Sequence, residues 1–151
     1  MLTQDDLINF LENRGIWYII HEKESTVHTA DAAAKTGIPL ERIVKSLVCI
    51  NEKPIVCIIP GNCRLDLEKV EKIVGSRVKV CPFKDAHKFS GYEPGATPPC
   101  FYENIEMVIV DKKVLENTTI FGGGGTNTSL IEMRPQDVVG LNRALVGDIV
   151  G

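Results

Sequence analysis

Apolar positions along the chain switch repeatedly between helical and strand spacing, which predicts a mixed series of short elements. In "TQDDLINFLENRG", Leu7, Phe10 and Leu11 recur at helical spacing behind Thr3, Asp5 and Asp6, so a helix opens at Thr3 and stops at Gly15. "IWYII" (16–20) reads as a strand, Thr29 caps a short helix through "ADAAAKT" that Gly37 ends, and Pro39 opens a helical turn. The clearest pattern is a hairpin, in which "IVKSLVCI" and "IVCIIP" are β-branched runs separated by "NEKP". Leu67, Val70, Ile73 and Val74 restore helical spacing up to Gly75. "RVKVC" reads as a strand and "PFKDAHKF" as a short helix. "IEMVIV", "TTIFG" and "SLIEM" are three further strands, and "RPQDVVGLNRAL" is a closing helix with Pro135 in its first turn. Strands that follow one another without crossover helices argue against a doubly wound sheet and for a mixed α/β fold of the α+β type.

Three stretches break this pattern. Lys45 interrupts an apolar strand, either on a solvent face or beside a cavity where a partly buried ammonium meets an anion. "SGYEPGATPP" holds two glycines and three prolines in ten residues, so it is a shaped loop; it is either a plain connection or a rigid frame whose Gly95 amide faces a developing oxyanion. "FGGGGTNTSL" holds four consecutive glycines, which fit a hairpin corner, a bulge or the close approach of another molecule. It is no phosphate-binding P-loop, because Thr126 and Asn127 follow Gly125 where Lys-Ser/Thr is required, and no helix follows as the dinucleotide fingerprint demands.

Composition narrows the function classes. A chain of 151 residues with 44% apolar and 25% charged residues fits one soluble globular domain, residues 1–151. The acidic, amphipathic start is neither a signal nor a transit peptide, and no apolar run approaches the ~20 residues that cross a bilayer, so a cytoplasmic protein with no membrane partner is expected. Five dispersed cysteines without a C-x-x-C pair, and three histidines without metal-binding spacing, predict no disulfide framework, metal or cofactor. A net charge of −3 argues against non-specific coating of nucleic acid. Locally, however, Lys69, Lys72, Arg77, Lys79, Lys84 and Lys88 outnumber Glu71 and Asp85, which describes either a solvated face or an approach surface for a polyanion. A G-x-S-x-G elbow is missing, and Cys100 is the remaining, weak candidate for a nucleophile.

Taken in order, "VKSL", "SGYEPGATPP" and "FGGGG", together with the "LDLEKVEKIVG" helix, resemble the YbaK-type aminoacyl-tRNA deacylases and the related editing domain of bacterial prolyl-tRNA synthetases. The resemblance runs from about residue 20 to the C-terminus. It implies a compact, barrel-like mixed sheet of about six to seven strands surrounded by helices, and hydrolysis of the ester joining a wrong amino acid to the tRNA 3′ end. Carried over position by position, Lys45 engages phosphate or ribose of the CCA end, Gly95 and Pro99 bracket the loop holding the aminoacyl carbonyl, Ser46 is the small polar residue beside the lysine, and Gly123 and Gly124 are the paired glycines. The expected site has Lys45 and Gly95 as catalytic groups, with substrate contacts from His28, Ser46, Gly91, Tyr92, Ala96, Thr97, Pro98, Pro99, Gly122, Gly123, Gly124 and Ser129. The chain departs from the family pattern with Gly122 where a serine precedes the glycine pair, Ser129 where an aspartate is usual, and no His-Pro near that strand. With side-chain acid–base groups scarce, the implied chemistry is substrate-assisted, on a tRNA bearing a small amino acid such as cysteine, alanine or serine. Aminoacyl-tRNA is the implied partner, a synthetase a further candidate, and the oligomeric state is open. The alternative is a non-catalytic module of the same fold that binds the tRNA 3′ end or a nucleotide.

Overall fold

The computed structural model describes all 151 residues, Met1–Gly151. Helix α1 (Gln4–Asn13) begins with a reciprocal cap in which the Asp6 amide donates to the Thr3 hydroxyl and the Thr3 amide to the Asp6 carboxylate. Leu7 and Leu11 of this helix are fully buried. Strand β1 (Tyr18–Glu22) starts two residues later than the apolar run suggests. Ile16 still belongs to the helix exit: its amide donates to the Leu11 carbonyl around Gly15, which has φ of 65°. Helix α2 (Thr29–Thr36) is preceded by His28 rather than Thr29 at the cap position.

The hairpin forms as its pattern predicts, with β2 (Val44–Ile50) antiparallel to β3 (Pro54–Pro60) and Lys45 opposite Ile59. Helix α3 (Leu67–Val74) is capped by the Asp66 side chain, and Gly75 closes it in the left-handed conformation. Of "RVKVC" only β4 (Lys79–Val80) is strand; a 3₁₀ turn at Phe83–Asp85 and helix α4 (His87–Ser90) follow. Strands β5 (Met107–Asp111), β6 (Ile120–Gly123) and β7 (Ser129–Met133) lead into helix α5 (Pro135–Asn142). Arg143, with φ of 48°, ends α5 early, and the chain turns into an eighth strand, β8 (Leu145–Gly147), where sequence spacing continues the helix.

The strands form two sheets, one in the order β1-β7-β6 and one in the order β4-β2-β3-β5-β8. The second is mixed, since β3–β5 and β5–β8 run parallel while β2 pairs antiparallel with both neighbours. The α+β character therefore holds, but the single barrel-like sheet does not. Backbone pairing joins the two sheets at an isolated bridge between Ile43 and Phe121, and the two-residue β4 occupies the other end of the β2 edge. No continuous ladder closes the ring.

Strand β3 is buried on both faces, as its unbroken apolar run requires. Val56 and Ile58 pack into a core with Leu7, Leu11, Ile120, Ile131 and Val138, while Ile55, Cys57 and Ile59 pack with Val70 of α3. The layers are thus α3, the five-stranded sheet, and then the three-stranded sheet with α1 and α5. No helix is long and apolar enough to cross a membrane.

Candidate functional site

The outer edge of β2 is shared rather than filled. Its C-terminal end pairs with β4 through Cys49 and Ile50, and Ile43, just before its N-terminal end, bridges to β6. Between these attachments a cavity of about 540 Å³ opens along the strand edge. Opening along the edge, not the face, explains why consecutive residues Val44 to Val48 all line it although their side chains alternate.

Lys45 lines this cavity, and its ammonium donates to the Cys63 carbonyl oxygen at 3.0 Å. Cys63 lies in the loop after β3, which turns at Gly61; a Cβ there would stand 2.6 Å from the Ile43 carbonyl oxygen, so only glycine fits. One acceptor leaves two of the three ammonium protons for a ligand. Ser46 also lines the cavity, and its hydroxyl is buried without a hydrogen-bond partner.

A second part of the lining comes from the loop 91–99, through Tyr92, Pro94, Gly95 and Thr97. Gly95 has φ of 82°, and a Cβ there would stand 2.7 Å from both the Thr26 carbonyl oxygen and the Val27 Cα, so the position requires glycine twice over. The loop is held by its carbonyls: Pro98 accepts from the Tyr102 hydroxyl at 2.8 Å, Pro99 from the Asn142 side-chain amide at 2.8 Å, and Ala96 from the Gly125 backbone amide at 3.0 Å. Tyr92 is buried, with its hydroxyl donating to the Phe101 carbonyl at 2.7 Å, and burial pushes its phenol well above the ordinary range. In contrast, the amides of Gly95 and Thr97 donate to no group of the protein, and both residues line the cavity.

Most of the close approach demanded by the glycine run is made by the protein itself. A Cβ on Gly122 would stand 2.7 Å from Cδ of Pro99, one on Gly123 2.7 Å from the Ala96 carbonyl, and one on Gly124 would meet the Ser129 hydroxyl. The glycines form a seat for the 96–99 loop. Ser129, fully buried, accepts from the Gln4 side-chain amide at 3.0 Å and exchanges a hydrogen bond with Thr126 at 2.7 Å, tying α1 to the glycine turn.

Of the expected site residues, the cavity gathers His28, Lys45, Ser46, Tyr92, Gly95, Thr97 and Gly123. Gly91, Ala96, Pro98, Pro99, Gly122, Gly124 and Ser129 stand behind this lining; Gly91, for example, ends α4 with φ of 88° and accepts from the Leu2 amide. Lys23, Phe83 and His87 line the cavity without having been singled out by sequence. Lys23 donates to the Thr26 hydroxyl and the Asn127 carbonyl, each at 2.6 Å, and burial, with Lys35 nearby, lowers its pKa. Nothing local marks Lys23, whereas Phe83 stands out as an aromatic in the polar "PFKDAHK" segment. The lining contains two lysines and two histidines and no carboxylate, which suits an anionic ligand. Neither Cys100 nor Cys81 is activated: Cys100 is fully buried and pushed up to about 12 by that burial, and burial also raises Cys81. Of the basic stretch, Lys69 is taken up by Asp148 at 2.9 Å and Lys88 by Asp85 at 3.2 Å.

A family model described as an aminoacyl-tRNA editing domain matches residues 21–141, the span that contains the β2 edge, the 91–99 loop and the glycine seat. The chain belongs to this family. Within the editing-domain family, a protein of Enterococcus faecalis (strain ATCC 700802 / V583), named as a candidate Cys-tRNA(Pro)/Cys-tRNA(Cys) deacylase, is 28% identical over 129 residues, covering 83% of this chain and 79% of that protein. The crystal structure of hypothetical protein APE2540 superposes with a TM-score of 0.89 at 27% identity, over 96% of this chain and 99% of that one. That of a candidate trans-editing enzyme for prolyl-tRNA synthetase superposes with a TM-score of 0.87 at 26% identity, over 100% and 99% of the two chains.

Proposed function

We propose that the chain, acting over residues 1–151 as one editing domain, hydrolyses the ester of mischarged aminoacyl-tRNA in trans. The observation that carries this reading is the pairing across one cavity of the Lys45 ammonium, which keeps two donors free, with the unpartnered amides of Gly95 and Thr97. The ammonium holds phosphate or ribose of the 3′-terminal nucleotide. The two amides accept the charge that develops on the ester carbonyl oxygen when water attacks the carbonyl carbon.

An aminoacyl ester is already activated, so orientation and charge stabilisation supply most of what the reaction needs. A new bond forms from the water oxygen to the carbonyl carbon, and the bond to the ribose oxygen breaks. The proton released by water ends on that ribose oxygen, relayed by the neighbouring ribose hydroxyl or by the substrate itself, and free amino acid and tRNA leave. Among small amino acids cysteine stands first, because it appears in the name of the Enterococcus faecalis relative; alanine and serine follow. A synthetase is a further partner of this reading.

The deciding experiment incubates the protein with tRNA(Pro) and tRNA(Cys) charged with cysteine, alanine or serine and follows loss of the amino acid. Faster release from at least one of these is the expected result. Binding across the whole panel without turnover would replace the enzyme with the non-catalytic module. Equal release from an aminoacyl adenosine lacking the tRNA body would replace it with a small-molecule esterase.

A further inference from the structure

Three of the eight large apolar side chains exposed on this protein, Val27, Val80 and Phe83, lie at the mouth of the one cavity described above. Exposed apolar groups gathered at one place mark a binding surface. Phe83 is 57% exposed, and across the mouth its ring faces that of His28 at 6.0 Å between centroids, with 35° between planes. A flat base held between two rings needs about 7 Å, twice the ~3.5 Å contact distance of carbon atoms. The pair is therefore about one ångström short of the spacing that admits a base. Small rotations of two exposed side chains, on the 3₁₀ turn and at the start of α2, supply that difference.

Charge favours the same occupant. Lys79 and Lys84 flank Val80 and Phe83 in sequence, are exposed, and make no ion pair within the protein. A heteroaromatic plane with a phosphodiester attached matches an aromatic clamp rimmed by unpaired ammonium groups.

We infer that Phe83 and His28 form a stacking clamp for the terminal adenine of the tRNA, which anchors the nucleoside while its aminoacyl ester reaches Lys45 and the Gly95–Thr97 amides. This rests on the proposed tRNA substrate, and it adds a base-holding subsite whose contribution is to binding.

The test uses an uncharged CCA-ended acceptor minihelix whose terminal adenosine is replaced by 2-aminopurine riboside, a base whose emission is quenched by stacking. With the wild-type protein at low salt, emission falls on binding. Phe83→Leu restores the emission and weakens binding at least about fivefold, Phe83→Tyr keeps both near wild type, and thermal melts of the variants coincide because the side chain is exposed. In deacylation, Phe83→Leu raises KM while kcat is held. A bound minihelix whose emission is unquenched, or quenched equally by Phe83→Leu, overturns the clamp and leaves the deacylase standing. A minihelix that does not bind at all also overturns the clamp, and the deacylation panel then decides the deacylase by itself.

Discussion

Gly123 runs so closely beneath the backbone of Ala96 that an added methyl group would stand 2.7 Å from both the carbonyl carbon and the carbonyl oxygen of that residue. The strand β6 and the 91–99 loop are therefore two halves of one device. Bare backbone on one side lets the other descend onto it, and the descended loop brings Gly95 and Thr97 into the lining of the cavity that Lys45 also lines.

Gly123→Ala tests this coupling. The methyl group meets backbone, which cannot swing aside like a flexible side chain, so the loop must lift. Displacing the amides is expected to lower kcat/KM by about 10²–10³, while overpacking costs about 1–3 kcal/mol of stability. Deacylation kinetics beside thermal melts read both, and full activity in a folded variant would separate the glycine seat from the site.

Lys45→Ala is expected to remove deacylation and leave the fold intact. The ammonium is half-buried and its one partner is the Cys63 carbonyl, so the stability change stays within about 1 kcal/mol. Lys45→Arg should rescue little, because a planar fork does not replace a compact ammonium at a strand edge. Wild-type rates in Lys45→Ala would refute the assignment.

Ser129→Ala should behave in the opposite way. Its hydroxyl serves Gln4 and Thr126, not the cavity lining, so its loss is expected to cost about 1 kcal/mol of stability with kcat unchanged. A variant of unaltered stability whose KM has risen severalfold would instead give Ser129 a direct contact with substrate.

Acid stability has a named contributor on the three-stranded sheet. Burial raises the Glu132 carboxyl, but hydrogen bonds from Thr119 at 2.7 Å and His21 at 2.8 Å, with the charges of His21 and Arg42, bring it below its ordinary 4.5. A carboxylate depressed on folding stabilises the protein above its unfolded pKa, and that contribution fades as pH falls through the folded value. Denaturant midpoints should therefore drop on acidification below pH 4.5, and Glu132→Gln should flatten that part of the profile. An identical slope in the variant would exclude Glu132 as its source.

Much of this protein is written locally. The helix start at Thr3, the β-branched hairpin, the helix that stops at Gly75 and the "SLIEM" strand depend on neighbours a few residues away, and each appears where its pattern places it. Lys45, the loop around Gly95 and the glycine run announce themselves because each violates a local preference. Strand β8 carries no such mark: three residues are ordered by pairing with β5, and the nearby Ile149 amide bonds the buried Asp111 carboxylate at 2.9 Å. Nor could spacing reveal that β2 shares its edge between β4 and β6, since that gap exists only once two sheets have met at Ile43 and Phe121. The sequence determined which residues are unusual. Tertiary structure alone decided what they face, because contacts between segments far apart along the chain are set by packing and leave no period in it.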